Sequence, residues 1–355
     1  MQTNGRFRVG VVADDLTSAA DGAGPFVARG LRAMIGRRRL AVDGCDVFAV
    51  DSGSRSLSID DAARNVAALT TQLASSRVLY KTVDSTLRGH VTAELAAAFS
   101  NSRRKTLVFA PAFPAAGRTT VRGIQYVDGV PVSESSYGRD PVHPARTSSL
   151  AELVPGGIGE VVILDAATQD ELNAKVAGFD DPCETLWVGS PGMAEALAAR
   201  LAGIGTSPTT PDTGTGGILV AIGTANPLSH RQADGIESLV DVTVLRGPRD
   251  RQTDPAGILD GIANRAARLV RTGCIDLLVA TGGDTLDAIL DRLGVDTFEL
   301  LAELEPGFPL GRATLAGGSK LMIAMKAGGF GDDDTLRRVF ARLRHETFLT
   351  RRALP

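Results

Sequence analysis

The sequence predicts an α/β protein of two domains, each a largely parallel sheet flanked by helices, with the active site in the cleft between them. Three observations carry this expectation. Short β-branched runs alternate with Ala- and Leu-rich runs of helical length along the 355 residues. The strand runs are continuously apolar, the pattern of strands covered on both faces. The alternation breaks once, over 204–217 (IGTSPTTPDTGTGG), a stretch almost wholly of Thr, Pro, Gly and Ser that reads as a linker. The domains are therefore expected over 1–203 and 218–355.

In the first domain the expected strands are 9–13, 47–50, 78–80, 106–110, 161–164 and 186–188, with Trp187 in the core. Between them 60–74, 91–100, 169–177 and 193–201 read as helices. A further helix should start near Ser18, with Asp15 or Thr17 as its N-cap. The stretch 111–150 is too rich in Pro, Gly and Ser for regular structure. A loop that long inside a compact domain is usually functional or disordered. Its Phe113, Arg118, Tyr126, Tyr137, Arg139, His143 and Arg146 favour function. In the second domain the alternation reads strand 218–222, helix 229–239, strand 242–245, helix 256–272, strand 275–280, helix 286–293 and a last apolar run at 321–325.

A net charge of −3, from 38 basic and 41 acidic residues, offers no bulk attraction for nucleic acid or an anionic membrane. The short basic clusters at 37–39, 103–105 and 351–352 read as solvated surface. Cys45, Cys183 and Cys274 are odd in number and widely spaced, which argues for reduced thiols and against a structural zinc site. Residues 1–8 have no signal-like apolar core, and no stretch approaches the ~18 apolar residues of a membrane span. The expectation is a cytoplasmic protein.

Chemistry gathers at the strand ends. Strand 9–13 runs into DDLTSAAD, and adjacent acids there repel unless they bind something; Asp14 or Asp15 is expected on substrate or metal. DSGSR (51–55) and KTVDSTLRG (81–89) add Arg55, Lys81, Asp84 and Arg88 at the same sheet edge. Arg suits a carboxylate and Asp and Ser suit hydroxyls, so the set points to a small hydroxylated acid. In the second domain TGGDT (281–285) follows a buried-looking strand and opens a helix. Glycines there let N–H groups approach a phosphate, the helix adds partial positive charge, and an Asp beside it suits Mg²⁺. The same five residues read equally as an ordinary helix start with Asp284 or Thr285 as N-cap. GTAN (223–226) and KAGGFG (326–331) are further turns able to donate N–H groups. Walker A, GxGxxG, HExxH and GxSxG are absent, and the four histidines occupy unrelated contexts.

In order along the chain, DDLTSAAD, DSGSR, YKTVDSTLRG, PAFPAAGRTT, YVDGVPV and DPVHPARTS resemble the sugar-binding N-terminal domain of the four-carbon acid sugar kinases. GTANPLSHRQ, TGGDT, EPGFPLG and KAGGFG resemble their nucleotide-binding C-terminal domain. The resemblance implies ATP-dependent phosphorylation of threonate, erythronate or 3-oxo-tetronate. It implies an acid sugar against Asp14, Asp15, Arg55, Asp84 and Arg88. It implies ATP against Thr224 and Asn226, Gly282, Gly283, Asp284 and Thr285, and Gly328, Gly329 and Gly331, with Asp284 supporting Mg²⁺. The chain departs from the family where GSCS reads GTAN and KSGNFG reads KAGGFG. On this reading Arg55 and Arg88 hold the carboxylate, and Asp14 or Asp15 orients or deprotonates the attacking hydroxyl.

A non-catalytic sugar-acid and nucleotide-binding regulatory protein is the competing expectation, favoured by those altered turns. A nicotinamide-dependent dehydrogenase is disfavoured by the missing GxGxxG. The expected partners are the small acid sugar and ATP, with no nucleic acid and no membrane; homo-oligomer formation stays open.

Overall fold

The computed structural model describes residues 7–40, 44–140, 143–201, 216–250 and 252–352. The chain divides into two compact units, Met1–Ser207 and Pro208–Pro355. The linker expected over 204–217 lies outside the described residues except for its last two.

The N-terminal unit runs β1 (Val9–Ala13), α1 (Leu16–Val27), β2 (Ala33–Arg37), β3 (Val47–Asp51), α2 (Ile59–Leu73), β4 (Val78–Thr82), α3 (Val91–Ser102) and β5 (Thr106–Ala110). It continues through β6 (Arg118–Val121), β7 (Ile124–Val127), β8 (Val130–Pro131), α4 (Leu150–Leu153), β9 (Glu160–Ile163), α5 (Gln169–Ala177), β10 (Thr185–Gly189) and α6 (Pro191–Leu201). Its main sheet has the order β2-β3-β1-β4-β10-β5-β9, with every pairing parallel. Strand residues alternate between two buried faces. Val12, Val50, Leu79, Phe109 and Val188 join Val66 and Leu69 of α2 and Leu95 of α3 in one core. Their neighbours Val11, Ala49, Tyr80 and Trp187 are buried on the other face, where α1 packs on α6 and α6 on α5. Burial on both faces is why these strands read as unbroken apolar runs.

Three features differ from expectation. β2 lacks a β-branched run, and its Gly36 is required by packing: a Cβ there would come within 2.6 Å of Arg39 O and 2.7 Å of the Phe48 ring. The basic clusters are not wholly solvated. Arg37 is buried at the end of β2, and Arg104 donates to the carbonyls of Ala74, Ser76 and Cys183. The stretch 111–150 is not irregular. β6, β7 and β8 form a small antiparallel sheet, turning at Arg122–Gly123 and Asp128–Gly129. All four of these residues have positive φ (53°, 72°, 48° and 80°), the signature of type I′ hairpin turns, whose twist matches the flanking strands.

The C-terminal unit runs β11 (Gly217–Ile222), α7 (Pro227–Asp234), β12 (Val242–Arg246), α8 (Pro255–Arg271), β13 (Ile275–Thr281), α9 (Gly283–Leu293), β14 (Thr297–Glu303), β15 (Pro309–Thr314), β16 (Lys320–Lys326) and α10 (Thr335–Arg352). Here β12-β11-β13-β16 are parallel, and β15 and β14 continue antiparallel. Val220, Val279 and Ala324 pack with Ala233 of α7 and Leu336 and Phe340 of α10; α8 and α9 pack against each other. Among the described residues no helix is long and apolar enough to cross a membrane.

Candidate active site

In each unit the chain order reverses at one point in the sheet. In the N-terminal unit this is between β1 and β4, and in the C-terminal unit between β11 and β13. Loops leaving two such strands diverge to opposite faces, and the crevice at their carboxyl ends is where open α/β sheets take ligands. Asp14 and Asp84 follow β1 and β4; Thr224 and Gly282 follow β11 and β13. The strand order thus brings Asp14 and Asp84 to one such place and Thr224 and Gly282 to the other.

In the N-terminal unit Asp15 is the N-cap of α1, its Oδ1 accepting from Ser18 N at 2.6 Å. This leaves Asp14 to project from the strand end, 4% exposed. Arg55, on the turn after β3, donates Nε to Asp14 Oδ2 at 2.8 Å, places Nη2 2.7 Å from the same oxygen, and donates Nη1 to Asp15 Oδ2. Asp14 Oδ1 is buried and has no hydrogen-bond partner among the described residues. Burial pushes the Asp14 carboxyl up, but the Arg55 and then Lys81 charges outweigh it and hold it below the usual carboxylate range. At Asp15 burial wins, Arg55 offsets it in part, the Asp14 charge adds to it, and the net direction is upward.

Asp84 accepts from Thr86 N at 2.7 Å on Oδ1 and from Arg88 Nε at 2.9 Å on Oδ2. Arg88 lies over the Tyr137 ring at 5.2 Å, and Arg118 over the same ring at 5.9 Å. Arg88 Nη1 stands 3.6 Å from Asp140. Of the aromatic and basic residues of 111–150, Tyr137 and Arg118 therefore reach the strand-end cluster. A cavity of about 570 Å³ adjoins the turn after β4, lined in part by Leu87, Gly89, His90, His143 and Arg146. Lys81 is placed differently from the others. It is 1% exposed, beneath the strand ends, and its Nζ pairs with Glu94 at 2.7 Å. Glu94 Oε1 accepts from Ser54 Oγ at 2.7 Å, and Ser54 Oγ lies 2.9 Å from Ser52 Oγ. This buried chain fixes the DSGSR turn from below. Glu94 is absent from the sequence expectation, although an acid beside Leu95 on the buried stripe of α3 (Val91, Leu95, Ala98) is a visible signal.

In the C-terminal unit the three turns follow adjacent strands. Gly282 has φ 93° and ψ 135°, a region open to glycine, and its N–H donates to Lys326 O at 2.8 Å. Its amide is thus engaged by the neighbouring strand rather than free for an anion. The N–H groups of Gly283, Asp284 and Thr285, the first turn of α9, have no acceptor among the described residues, and no side chain caps the helix. Asp284 is exposed and Thr285 buried. Gly223 lies against Thr285: a Cβ on Gly223 would overlap Thr285 Oγ1. Thr224 Oγ1 accepts from Asn226 N at 3.1 Å, and Asn226 Oδ1 caps α7 through Leu228 N at 2.9 Å. A Cβ on Gly328 would stand 3.1 Å from Thr224 Oγ1, and one on Gly329 3.5 Å from Asn226 Nδ2. Gly331 has φ 81°.

These donors fit the phosphates of a nucleotide: uncapped helix N–H groups, glycines where side chains would intrude, and one exposed carboxylate. No group of three or more metal-ligating side chains occurs among the described residues. Two further residues, His230 and Lys326, were not singled out from sequence. His230 donates through Nε2 to Thr224 O, 3.0 Å away, and burial keeps its pKa below the ordinary value.

The model of the sugar-binding N-terminal domain family matches residues 9–159, and that of the nucleotide-binding C-terminal domain matches 249–336. A D-threonate kinase of Bordetella bronchiseptica is 31% identical, covering 96% of this chain and 98% of its own length. A D-threonate kinase of Cupriavidus necator is 30% identical, covering 92% and 95%. A 3-oxo-tetronate kinase of Methylobacterium radiotolerans is 28% identical, covering 93% and 98%. Among solved structures, a Haemophilus influenzae protein shares the fold at TM-score 0.75 and 18% identity, covering 94% of this chain and 100% of its own. A Bordetella bronchiseptica protein solved with bound citrate as a domain-swapped dimer matches at TM-score 0.50 and 29% identity, covering 96% and 99%. Two domain models in the expected order, and relatives of 30% identity or more along nearly the whole length, place this chain in the four-carbon acid sugar kinase family.

Proposed function

We propose that the protein transfers the γ-phosphoryl group of ATP to a hydroxyl of a four-carbon sugar acid, with D-threonate the first candidate. Relatives at 28 to 31% identity carry the D-threonate name. The citrate bound to the Bordetella protein is likewise a hydroxylated acid. The observation that carries the reading is the Asp14 carboxylate, held below the usual range: one oxygen is bound by Arg55, the other is buried and without a partner among the described residues. An acceptor so placed suits a substrate hydroxyl, which it would orient and relieve of its proton as phosphorus is attacked. Asp15 has both oxygens engaged, by Ser18 N and Arg55, so Asp14 is the better base.

Arg88 is the better partner for the substrate carboxylate: Arg55 is closely paired with two acids, whereas Arg88 is closely paired with one, Asp84, through Nε and Nη2, and its Nη1 stands 3.6 Å from Asp140. Asp84 orients Arg88 through Nε, and the Tyr137 ring supports one face of the guanidinium. Lys81 acts through Glu94 and Ser54 on the DSGSR turn and does not touch substrate. The first-turn N–H groups of α9 and the glycine turn after β16 would receive the phosphates, and Asp284 would hold Mg²⁺. When bound, that ion neutralises charge on the transferring group. A homodimer, as described for the Bordetella protein, is proposed here also.

The deciding experiment is an ATP-consumption assay with Mg²⁺ over D- and L-threonate, D- and L-erythronate and the 3-oxo acids. Turnover on D-threonate at the highest kcat/KM is expected. Nucleotide binding with no turnover on any of the acids would leave a non-catalytic binding protein.

A further inference from the structure

We propose that Lys326 is a positioning residue for the nucleotide phosphates: it gathers three carbonyls of the 326–331 turn, and so faces the N–H groups of Gly328, Gly329 and Gly331 outward as an anion nest. The inference rests on reading the C-terminal unit as the nucleotide site, and it assigns a residue that reading does not use.

Lys326 ends β16, a strand hydrogen-bonded on both sides, to β13 and β15. Its side chain is 1% exposed. A buried ammonium is costly unless its protons are matched, and no carboxylate pairs with it among the described residues. It donates instead to three backbone oxygens, of Ala327 at 2.8 Å, Gly328 at 3.3 Å and Phe330 at 3.0 Å. An ammonium has three protons, so its capacity is filled by this one turn.

The consequence for the amides follows from peptide geometry. In a planar trans peptide the C=O and the next residue's N–H point in opposite directions, and the chain contains no cis peptide among the described residues. Carbonyls 327, 328 and 330 converge on Nζ, so N–H groups 328, 329 and 331 face away from it. None of these three amides has an acceptor among the described residues. Helix α7 reinforces the arrangement from the same side. Ser229 Oγ donates to Gly328 O at 2.8 Å, and Gln232 Nε2 donates to Phe330 O at 3.2 Å and Asp332 O at 2.6 Å. Successive N–H groups converging outward form the kind of concavity that binds phosphate oxygens, with a fixed positive charge directly behind it. Glycine at 328 and 329 keeps the approach clear. The same fold of backbone accounts for how KAGGFG can serve without the hydroxyl and amide of KSGNFG: the donors are main-chain groups.

The test compares ATP and adenosine binding, by calorimetry with Mg²⁺, to wild-type protein and to Lys326→Met. Loss of the nest should weaken ATP at least tenfold, leave adenosine within twofold, and raise KM for ATP more than it lowers kcat. Equal loss for both ligands would mean that Lys326 merely holds the unit together, and no loss for either would overturn the proposal outright. Should the variant fail to fold, the wild-type amides of Gly328, Gly329 and Gly331 can be followed by NMR. ATP should shift all three and adenosine none; unmoved amides would equally overturn it. If wild-type protein binds adenosine but not ATP better, the nest falls while a nucleoside site stands. If it binds neither, the nucleotide reading itself fails.

Discussion

Arg55 sets both Nε and Nη2 against Oδ2 of Asp14, at 2.8 and 2.7 Å, and leaves Oδ1 of the same carboxylate buried without a partner among the described residues. The arginine keeps the acid ionised and fixes its orientation, so the unused oxygen is a preformed acceptor. This relationship separates two neighbouring acids that look equivalent in sequence.

Asp14→Asn should lower kcat by on the order of 10²–10⁴-fold, the usual contribution of a general base. Asp15→Asn retains an oxygen able to cap α1, where Asn serves about as well as Asp. It should keep the wild-type melting temperature and lose less activity. Steady-state kinetics on both folded variants checks this; a larger kcat loss in Asp15→Asn would transfer the role to Asp15.

Arg88→Ala should weaken sugar-acid binding by roughly 1.5–3 kcal/mol, the range for a charge-assisted hydrogen bond. Arg88→Lys should recover part of that, since a lysine keeps the charge but lacks the fork and the flat face that lies on Tyr137. Unchanged KM and kcat in Arg88→Ala would reduce the residue to a support for Asp84.

Lys81→Met should destabilise the N-terminal unit by about 3–5 kcal/mol, because it leaves Glu94 charged and buried without its partner. Lys81→Met with Glu94→Gln should recover much of the loss in a urea titration. A single variant as stable as wild type would show that the buried pair contributes nothing to stability.

Lys326 gives a pH signature of the same sign as a paired carboxylate, stability rising with pH, but displaced to the alkaline range. Burial lowers its ammonium to about 8, against about 10.4 for an unfolded lysine. Between those values the unfolded chain holds a proton that the folded chain has released. Stability should therefore rise with pH from about 8 toward 10.4. Denaturant titrations of wild type and Lys326→Met isolate the effect from other titrating groups. A difference between them that stays flat across this range would place the lysine near its ordinary value.

Much of the layout was legible because it rests on local rules. The apolar runs marked β1, β3, β4, β5 and β13 to within a residue or two, and α5 lies where its pattern put it. What escaped has physical reasons. β2 (AMIGR) has only one β-branched residue, Ile35, too few to announce a strand, and tertiary packing against Phe48 decides its state. The β6–β8 sheet was hidden by its Gly content, although Asp128–Gly129 is itself a hairpin signal. Asp14, Arg55 and Asp84 were visible as strand-end acids and bases, but which of them pair is a matter of side-chain geometry. Lys81 and Lys326 show the limit most clearly. Each closes an apolar strand in the sequence, and only the fold distinguishes one that pairs with a buried acid from one that gathers carbonyls.

Strand order in the N-terminal unit also governs how that unit comes into being. β10, residues 185–189, lies between β4 and β5, which end at Thr82 and Ala110. Until those five residues have left the ribosome, two hydrophobic strands near the middle of the sheet have no neighbour on that side. Nearly the whole unit must be synthesised before its sheet can close, and contacts of such long sequence separation form slowly. The exposed edges of β4 and β5 in the meantime are sites for mispairing with other chains. A nascent chain arrested before residue 185 should therefore be protease-sensitive and chaperone-bound, and one arrested well beyond residue 201 should not.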